Sequence, residues 1–374
     1  MKFSSDKSAL QQALQQLGKV TPVRSTLPIL SSVLITADEA DKKRLQIRAT
    51  DLEISQIVYI PSKVEKEGSV AVQHRTLLDI SSEMPEGELE IEVSEEGKVH
   101  IKTSYGDYSL MSKPIDEFPS LPDVDSVQQV KIPAHILKRV IEKTSFATSK
   151  DELKPSLMGV LFQFHEDSFR AIATDGHRLV KHIRKDFSGE RYKGENIVPV
   201  KFLNILVSYM TDDEMIDLNI GENHVMMESS ETTIYTRIID ERFPDYESVF
   251  PQDNDKKLKV NRQKLLAAVR RVSIFSNKTT HQIALRMGEE GIEITTEDVE
   301  TVSTARESLE CDYNGEPLVI GYNSNYVRDL ISHLDSEEII MEFRSPVTAT
   351  VIYPDKQEDN EDLQMLLMPI RLND

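Results

Sequence analysis

The sequence FRAIATDGHRL at residues 169–179 is the best guide to the architecture, because it recurs along the chain. LQIRATDLEI at residues 45–54 repeats it around Thr50, and GIEITTEDVE at residues 291–300 repeats it more faintly around Thr296. The threonines at positions 50, 174 and 296 are 124 and 122 residues apart. Self-similarity at a fixed period indicates repeated structural units.

Two further anchors keep the same period. Leu77, Leu203 and Val327 hold one position in three similar segments and are 126 and 124 residues apart. The dipeptide Phe-Pro at residue 118 recurs at residue 243, an offset of 125. Three anchors that agree predict three tandem copies of one domain.

The copy boundaries are predicted from residues that break regular structure. The segments 119–127 and 250–257 are rich in Pro, Asp and Asn, as expected of connections between domains. We therefore place the copies at residues 1–125, 126–252 and 253–374.

Each copy is predicted to contain two helices and many strands. Ile136, Leu137, Val140 and Ile141 follow the helical period and mark a buried stripe. Period-2 alternation in IEVSEEGKVHIKTS, at residues 91–104, favours antiparallel strands. The predicted class is α+β, with two helices packed on antiparallel sheets in each copy. The helices are expected near residues 6–17, 75–84, 134–146, 200–210, 262–275 and 324–334.

The composition is that of an ordinary globular protein. The 374 residues are 39% hydrophobic and 29% charged, and the formal net charge is −20. A single cysteine, Cys311, excludes an intrachain disulfide and is expected to be an inert buried thiol. The polar N-terminus and the absence of a long apolar run lead us to expect neither a signal peptide nor a membrane span. We expect a cytoplasmic protein.

The positive charge is concentrated on the helices. The helices with their flanking residues, counted as residues 5–20, 73–82, 133–147, 199–210, 261–276 and 322–334, carry +8 over 82 residues, so the other 292 residues carry −28. Arg262, Lys264, Arg270 and Arg271 lie on one helix that has no acidic residue. For one helix a solvated basic face is the simpler interpretation, but repetition across helices favours a basic surface for a polyanion such as duplex DNA. No motif for sequence-specific readout is present.

The same turn raises an enzymatic alternative. Asp175 and His177 in ATDGHRL could form a hydrolytic dyad, or Asp175 and Gly176 could simply supply turn geometry. No nucleophile motif or phosphate-binding loop accompanies them. The spacing of His165, His177 and His182 matches no zinc template, so we expect no metal site.

The C-terminal run LQMLLMPIRLND also has two interpretations. Its apolar residues 366–370 follow the acidic segment DKQEDNED. Such a run is usually a final core strand, although Met-rich surfaces also form adaptable peptide grooves.

Taken together, TPVRSTLPIL, MGVLFQF, ATDGHRL, RFPDY, IGYNSNYV and LLMPIRL give the whole chain a family resemblance. The chain resembles the bacterial DNA polymerase III β subunits, the replicative sliding clamps. The resemblance implies a head-to-tail homodimer that forms a six-domain ring around duplex DNA without reading its sequence. It also implies no enzymatic activity, no cofactor and no membrane association. Expected partners are a clamp loader, the replicative polymerase and other proteins that carry a clamp-binding motif.

The resemblance also implies a pocket for partner peptides that carry apolar and aromatic anchors. In that pocket the apolar side chains would bury the peptide and the polar groups would orient it. Its residues are Thr174, Gly176, His177, Arg178, Leu179, Pro244, Val249, Leu366, Met368, Pro369, Ile370 and Arg371.

Two further surfaces follow. Arg24 and Arg75 match DNA-contacting positions of the family. In the loop before MGVLFQF, where the family has polar and aromatic DNA contacts, this chain has Asp151, Pro155 and Ser156. An apolar subunit contact is expected from Tyr108, Ile274 and Phe275. With the helix cations, the candidate DNA-binding set is Arg24, Arg75, Lys138, Arg139, Lys201, Arg270 and Arg271. The alternatives are an acidic scaffold without a DNA role, and a hydrolase that uses Asp175 and His177.

Overall fold

The computed structural model describes residues 1–38, 43–122, 124, 128–187 and 192–372. Helices and antiparallel strands alternate throughout these ranges, which confirms the predicted α+β class. The predicted boundary between the first two copies, at residues 125 and 126, lies outside the described residues. The helices in chain order are α1 (Lys7–Leu17), α2 (His74–Glu83), α3 (Ala134–Thr144), α4 (Val200–Val207), α5 (Arg262–Ser273) and α6 (Ser324–Ser332).

The strands connect these helices in a pattern that recurs along the chain. In chain order they are β1 (Lys2–Asp6), β2 (Ser32–Ala37), β3 (Arg44–Thr50), β4 (Ile54–Pro61), β5 (Lys63–Lys66), β6 (Gly68–Gln73), β7 (Glu88–Val93), β8 (Lys98–Lys102), β9 (Asp107–Met111), β10 (Gln128–Pro133), β11 (Gly159–Phe164), β12 (Phe169–Thr174), β13 (Arg178–Arg184), β14 (Gly194–Pro199), β15 (Met215–Ile220), β16 (His224–Glu228), β17 (Thr232–Arg237), β18 (Lys256–Asn261), β19 (Gln282–Gly288), β20 (Gly291–Asp298), β21 (Ser303–Leu309), β22 (Asp312–Tyr313), β23 (Leu318–Asn323), β24 (Glu338–Phe343), β25 (Thr350–Pro354) and β26 (Glu361–Leu367).

All six predicted helices are confirmed, and each ends within three residues of its expected limit. The helix α4 ends at Val207, before the predicted residue 210, because the chain changes there from α-helical hydrogen bonds to shorter ones that span three residues. The amides of Ser208 and Tyr209 donate to carbonyls three residues earlier, at Ile205 and Leu206. The start of α5 is fixed by Asn261, whose side chain accepts a hydrogen bond from the Lys264 amide at 3.0 Å.

The strands form four sheets, described by their hydrogen-bonded order. The five-stranded sheet runs β5-β1-β7-β8-β9, and the eight-stranded sheet runs β10-β15-β16-β17-β4-β3-β2-β6. The nine-stranded sheet runs β14-β11-β12-β13-β26-β25-β24-β18-β22, and the four-stranded sheet runs β21-β20-β19-β23. Strands from different thirds of the sequence therefore share sheets, as β4 and β17 do.

The chain divides into two compact units. Unit 1 comprises Met1–Lys131 and Met215–Ile238, and unit 2 comprises Ile132–Glu214 and Ile239–Asp374. The middle third of the sequence contributes to both units. Its strands β15–β17 belong to unit 1, whereas β11–β14 belong to unit 2.

Each unit has its own apolar core. In unit 1, Ile29, Leu30 and Phe118 pack around Ala71. The stripe predicted on α3 is buried in unit 2, where its members Leu137 and Val140 have no exposed surface. In the part of the chain that the structure describes, no helix combines the length and apolar character needed to cross a membrane.

Candidate functional site

The tight turn between β12 and β13 in unit 2 contains the ATDGHRL motif. The Thr174 hydroxyl donates to the Arg178 carbonyl at 2.6 Å and accepts from the Gly176 amide at 3.0 Å. Asp175 Oδ1 accepts from the amides of His177 and Arg178 at 2.9 and 3.0 Å. Gly176 has a φ of +90°, a conformation that glycine adopts without a steric penalty. The motif therefore specifies a rigid turn that exposes His177.

Arg178 locks this turn onto neighbouring elements. It is only 8% exposed, and its Nε donates to Asp175 Oδ2 at 3.1 Å. Its Nη1 donates to Asp329 Oδ2 and its Nη2 to the Phe146 carbonyl, both at 2.8 Å. The guanidinium also lies 4.9 Å from the centre of the Tyr326 ring. Because these partners occupy the guanidinium, Arg178 holds the turn in place against Asp329 and Phe146.

His177, in contrast to Arg178, is exposed. Its ring stacks on Tyr326, with the ring centres 5.6 Å apart and the planes 17° from parallel. Tyr326 thus contacts both His177 and Arg178, yet it was not among the predicted site residues. The quoted motif IGYNSNYV contains it, so the signal was present in the sequence. Phe146 and Asp329 had no comparable signal, because their roles depend on the three-dimensional approach of α3 and α6.

Two predicted pocket residues form an apolar floor. Leu179 and Leu366 are register partners across β13 and β26, and they are 5% and 2% exposed. They belong to a buried cluster that includes Tyr246, with Phe243 and Phe250 packed at its edge. The Tyr246 hydroxyl donates to Gln163 Oε1 at 2.8 Å, which fixes the segment against the sheet.

Two exposed residues come from the segment anchored by Tyr246. Pro244 is exposed, and Val249 is 49% exposed in a short helical turn at Glu247–Val249. Since Phe243 and Phe250 on either side pack against the cluster that holds Leu179 and Leu366, this segment borders the apolar floor.

The C-terminal segment fits both interpretations of its sequence. The strand β26 ends at Leu367, and its apolar side chains Leu366 and Leu367 are buried as core. Beyond it, the Met368 amide donates to the His177 carbonyl and the Ile370 amide to the Gly321 carbonyl, both at 2.9 Å. Met368 is 43% exposed, Pro369 and Ile370 are half-buried, and Arg371 is exposed. The chain therefore leaves the core and lays an apolar surface beside the ATDGHRL turn.

The arrangement supplies no hydrolytic dyad. Both oxygens of the Asp175 carboxylate are occupied by backbone amides and by Arg178. The turn interpretation of Asp175 and Gly176 therefore accounts for the motif. Burial raises the pKa of the Cys311 thiol to about 11, so it is a poor nucleophile at neutral pH.

The three histidines considered as metal ligands have separate surroundings. His182 lies within β13, fully buried, with its Nε2 atom 2.5 Å from Glu361 Oε1. Burial lowers the pKa of His182. His177 stacks on Tyr326, and His165 is half-buried just after β11. Within the described ranges, no group of three or more His, Cys, Asp or Glu residues could hold a metal ion.

Two of the predicted DNA-binding cations on α3 are already paired. Arg139 hydrogen-bonds the Glu361 carboxylate at 2.8–3.1 Å and Asp335 Oδ2 at 2.9 Å. Burial alone would lower the pKa of Arg139, but these carboxylates outweigh it and raise the pKa. Lys138 Nζ lies 3.1 Å from Asp212 Oδ1. Much of the charge on α3 is therefore compensated within unit 2.

The helices α2 and α5 differ in how their cations are paired. Arg75 Nε lies 2.9 Å from Asp79 on the same helix, in a solvent-exposed pair that holds it weakly. Arg271 binds Glu307 through Nε and Nη2 at 2.8 and 2.7 Å. Its neighbour Arg270 is exposed and forms no ion pair with any described residue. Arg24, in the loop after α1, and Lys201, on α4, are also exposed.

The residues predicted for a subunit interface lie at sheet edges and a helix end. Tyr108 is 36% exposed in β9, at one edge of the five-stranded sheet of unit 1. Ile274 and Phe275, which follow α5 in unit 2, are 66% and 46% exposed. In the same unit, β21 lies at an edge of the four-stranded sheet. Unpaired strand edges with exposed apolar side chains are typical of surfaces that bind another chain.

These features define a class of protein: a repeated α+β chain with basic helices and an exposed apolar surface beside a rigid turn. Three family models match it in succession. They are the N-terminal, central and C-terminal domains of the DNA polymerase III beta subunit, at residues 1–122, 131–245 and 247–371. The chain belongs to the DNA polymerase III beta subunit family.

Curated relatives and solved structures agree with that assignment. The beta sliding clamp of Vibrio cholerae is 29% identical, and the alignment covers 100% of both chains. The beta sliding clamp of Bacillus subtilis is 27% identical over 99% of this chain and 100% of the relative. The crystal structure of a DNA polymerase sliding clamp from Bacillus subtilis superposes with a TM-score of 0.92 at 28% identity, covering 100% of both chains. A sliding clamp from Pseudomonas aeruginosa bound to griselimycin gives a TM-score of 0.90 at 28% identity, also over 100% of both chains.

Proposed function

We propose that this chain is a non-catalytic DNA sliding clamp, a homodimeric ring that encircles duplex DNA and tethers the replicative polymerase to its template. The observation that carries the proposal is the match of three successive family domains along the whole chain. A clamp loader opens such a ring, and other DNA-processing proteins share it with the polymerase. The proposed location is the cytoplasm.

The charge distribution supports a DNA-facing role for the helices. Topological linkage holds a closed ring on DNA, so its lining needs only weak, sequence-independent attraction, which permits sliding. Arg24, Lys201 and Arg270 are exposed and suit this role. Arg139, with two carboxylate partners, contributes least. The −28 outside the helices discourages DNA from binding elsewhere.

The pocket beside the ATDGHRL turn suits a short partner peptide. Met368 and Val249 offer exposed apolar surface next to the floor formed by Leu179 and Leu366. Burying such surface contributes about 25 cal/mol for each Å² removed from water. His177 is placed to orient the peptide, while Arg178 holds the turn that presents it.

The proposed dimer is head-to-tail. An interface between the β9 edge of one copy and the β21 and α5 end of another joins two different surfaces. Such a heterologous contact generates a closed ring when the rotation closes. Tyr108, Ile274 and Phe275 supply apolar area for it.

Retention on DNA of different topology tests the ring. The protein is loaded with the clamp loader of the same genome onto nicked circular plasmid or onto the same plasmid after linearisation, and is then washed in high salt. We expect retention on the circles and loss from the linear ends. The double variant Ile274→Asp, Phe275→Asp serves as a monomeric control and should be retained on neither.

If the wild-type protein dissociates from both the circular and the linear plasmid, the ring is overturned and the acidic scaffold is favoured. Equal retention on circular and linear DNA would also overturn it, since that result indicates ordinary binding. Sedimentation of the wild type and the double variant establishes that the two differ in oligomeric state.

A further inference from the structure

Unit 1 contains a second turn with the same hydrogen bonds as the ATDGHRL turn. The Thr50 hydroxyl donates to the Ile54 carbonyl at 3.0 Å and accepts from the Leu52 amide at 3.1 Å. Asp51 Oδ1 accepts from the amides of Glu53 and Ile54 at 3.0 and 2.7 Å. Each bond has its counterpart at Thr174 and Asp175. The sequence repeat is therefore a structural repeat at atomic detail.

The unit 1 turn keeps this shape despite an unfavourable residue. Leu52 occupies the place of Gly176 and has a φ of +79°, where a leucine is uncommon. Its side chain is 51% exposed, so core packing does not require it there. Strained positions of this kind persist where the surrounding structure over-determines them, often at binding sites.

A cavity of about 240 Å³ lies beside this turn, entirely within unit 1. Its walls come from the turn, from β4, from the ends of β16 and β17, and from the segment after Phe118. Phe118 corresponds to Phe243 in the repeat, so the same elements that surround the unit 2 pocket surround this cavity. Among its lining residues are Thr50, Ser55, Pro119, His224, Tyr235 and Arg237.

The strand register shows how the lining differs from that of unit 2. Thr50 pairs with Ser55 as Thr174 pairs with Leu179, so a hydroxyl replaces an apolar floor residue. Ile54 pairs with Thr236 as Arg178 pairs with Leu367. The next residue, Arg237, therefore occupies the position of Met368. A site built for apolar anchors in unit 2 is polar and cationic in unit 1.

One arginine, Arg237, lines this cavity, and a second, Arg48, is hydrogen-bonded to the lining residue Pro119. Arg237 is exposed and forms no ion pair with any described residue. Arg48 donates from Nη2 to the Pro119 carbonyl at 2.6 Å and lies over the Phe118 ring at 5.0 Å. The Nε atom of Arg48 is buried without a hydrogen-bond partner, and no described carboxylate pairs with this residue. Burial lowers the pKa of Arg48, as expected for a cation without a compensating anion.

The other titratable groups of the lining add only in part to the positive character of the cavity. Burial, followed by the charge of Arg237, lowers the pKa of His224, which is the register partner of Arg237 across β16 and β17. Burial also raises the pKa of Tyr235, which keeps its hydroxyl protonated as a hydrogen-bond donor. Glu53 is the one acidic side chain among the lining residues that the structure describes. The described lining of the cavity therefore offers several donors and the cation Arg237 to a ligand, against a single carboxylate, with Arg48 held next to the lining residue Pro119.

We propose that this cavity is a second docking site, which takes an extended segment of a partner protein through an aspartate or glutamate side chain. Arginine clusters recognise acidic motifs in this way, and a guanidinium matches the planar geometry of a carboxylate. The choice of a peptide, as opposed to a free anion, rests on the peptide role proposed for the repeat-related pocket in unit 2. A partner could then contact the two units through two chemically different motifs.

Matched peptides test the site. The probes are acetyl-Ala-Ser-Asp-Ser-Ala-amide, which lacks the apolar anchors proposed to bind in unit 2, and the same peptide with Asn in place of Asp. Each is titrated into the full-length protein and followed by ligand-observed NMR. We expect the Asp peptide to bind at least fivefold more tightly than its Asn twin. Arg237→Gln, an exposed change at the end of β17, should abolish that preference. Met368→Ala, the matched change in unit 2, should leave it intact.

Three results would overturn the proposal. Equal binding of the two peptides shows that no carboxylate is read. Loss of binding in Met368→Ala with no effect of Arg237→Gln places the peptide in unit 2. Displacement of the Asp peptide by an equal concentration of inorganic phosphate identifies a general anion site. The plasmid experiment is independent of all three, so failure of the clamp function and failure of this site are distinguishable.

Discussion

Individual arginines on α5 differ in how much positive charge they offer, although they are adjacent in sequence. Glu307 binds Arg271 through two hydrogen bonds, at 2.8 and 2.7 Å, and these raise its pKa. Arg270 has no such partner among the described residues. A phosphate must compete with Glu307 for Arg271, whereas Arg270 can bind it directly. Adjacent positions on one helix therefore have unequal value for DNA binding.

This difference predicts unequal effects of two matched substitutions. Arg270→Gln should weaken binding to a short linear duplex and reduce the slope of log K against log salt by about 1, because one phosphate contact is lost. Arg271→Gln should have a smaller effect on both. Fluorescence anisotropy at several salt concentrations measures the affinity and the slope. Equal losses of DNA affinity in the two variants would show that the ion pair with Glu307 does not weaken phosphate binding by Arg271.

Ion pairs between distant residues limited what the sequence could predict at this scale. Counting charges by helix located the basic elements, but the count treated Arg139 as an unpaired cation that is available to DNA. Its partner Glu361 is 222 residues away in sequence. No local pattern indicates such a pair, because it depends on how β26 is placed against α3. The positions of the cations were predictable, and their availability was not.

At the scale of elements, the β12–β13 turn shows how a short motif defines a local structure. The Thr-Asp-Gly sequence satisfies the amides of the turn internally, and Gly176 permits the positive φ. This geometry presents His177 and directs its carbonyl to the Met368 amide. The turn and the C-terminal side of the pocket are therefore coupled through one hydrogen bond.

Substitution of Gly176 should expose that coupling. Gly176→Ala is expected to lower the free energy of unfolding by about 1 kcal/mol, because the left-handed conformation is unfavourable for alanine. A Cβ atom at this position meets no neighbour within 4 Å, so the effect is conformational and not steric. We also expect weaker binding of a clamp-binding peptide. Urea unfolding and peptide titration measure the two effects.

Gly288 provides a control in the same unit. A Cβ atom there also meets nothing within 4 Å, and its φ lies outside the left-handed range. Gly288→Ala should therefore change the free energy of unfolding by less than about 0.5 kcal/mol and leave peptide binding unaltered. Similar losses in the two variants would contradict the role assigned to the Gly176 conformation.

Sequence patterns predicted the elements well but not their partners. The apolar period of each helix and the alternation of each strand are local properties, so they were readable. The pairing of β4 with β17 joins residues such as Ile57 and Thr232, which are 175 positions apart. For the same reason, the apolar floor of the pocket could be expected from Leu179 and Leu366, while Tyr326, Phe146 and Asp329 could not be assigned without the fold.

Across the chain as a whole, a set of charged residues connects separate parts of unit 2; Glu361, His182 and Lys143 are buried, Arg139 is half-buried and Asp335 is exposed. Glu361 in β26 contacts His182 in β13 and Arg139 in α3, and Asp335 binds both Arg139 and Lys143. Burial opposes ionisation of Glu361, but His182 and Arg139 outweigh it and lower its pKa to about 2. Burial lowers the pKa of His182. Such a network stabilises the fold only at pH values where Glu361 stays ionised and the buried His182 stays neutral.

Both shifts predict that acid destabilises the protein. When the folded pKa of His182 is lowered, the unfolded chain takes up the proton first, so stability falls as the pH drops through about 6.5. The depressed pKa of Glu361 adds a second loss as the pH falls from about 4.5 towards 2. The variant His182→Gln should therefore show a flatter dependence of unfolding free energy between pH 7 and pH 5 than the wild type.

Urea unfolding at pH 7, 6 and 5 measures this slope. His135→Gln, a change of an exposed histidine on α3, should retain the wild-type slope. If His182→Gln and the wild type lose stability in parallel, the buried imidazole is not the group responsible.

The eight-stranded sheet of unit 1 has a consequence for synthesis on the ribosome. The strand β4 is complete at Pro61, but its neighbour β17 begins at Thr232, some 170 residues later. At translation rates of about 5–20 residues per second, β4 waits roughly 10–30 s for its partner. During that time the nascent chain carries an open row of amides and carbonyls beside the apolar residues of β4. The order in which the sheet is assembled therefore leaves this edge of the incomplete chain open to pairing with other strands until β17 has been synthesised.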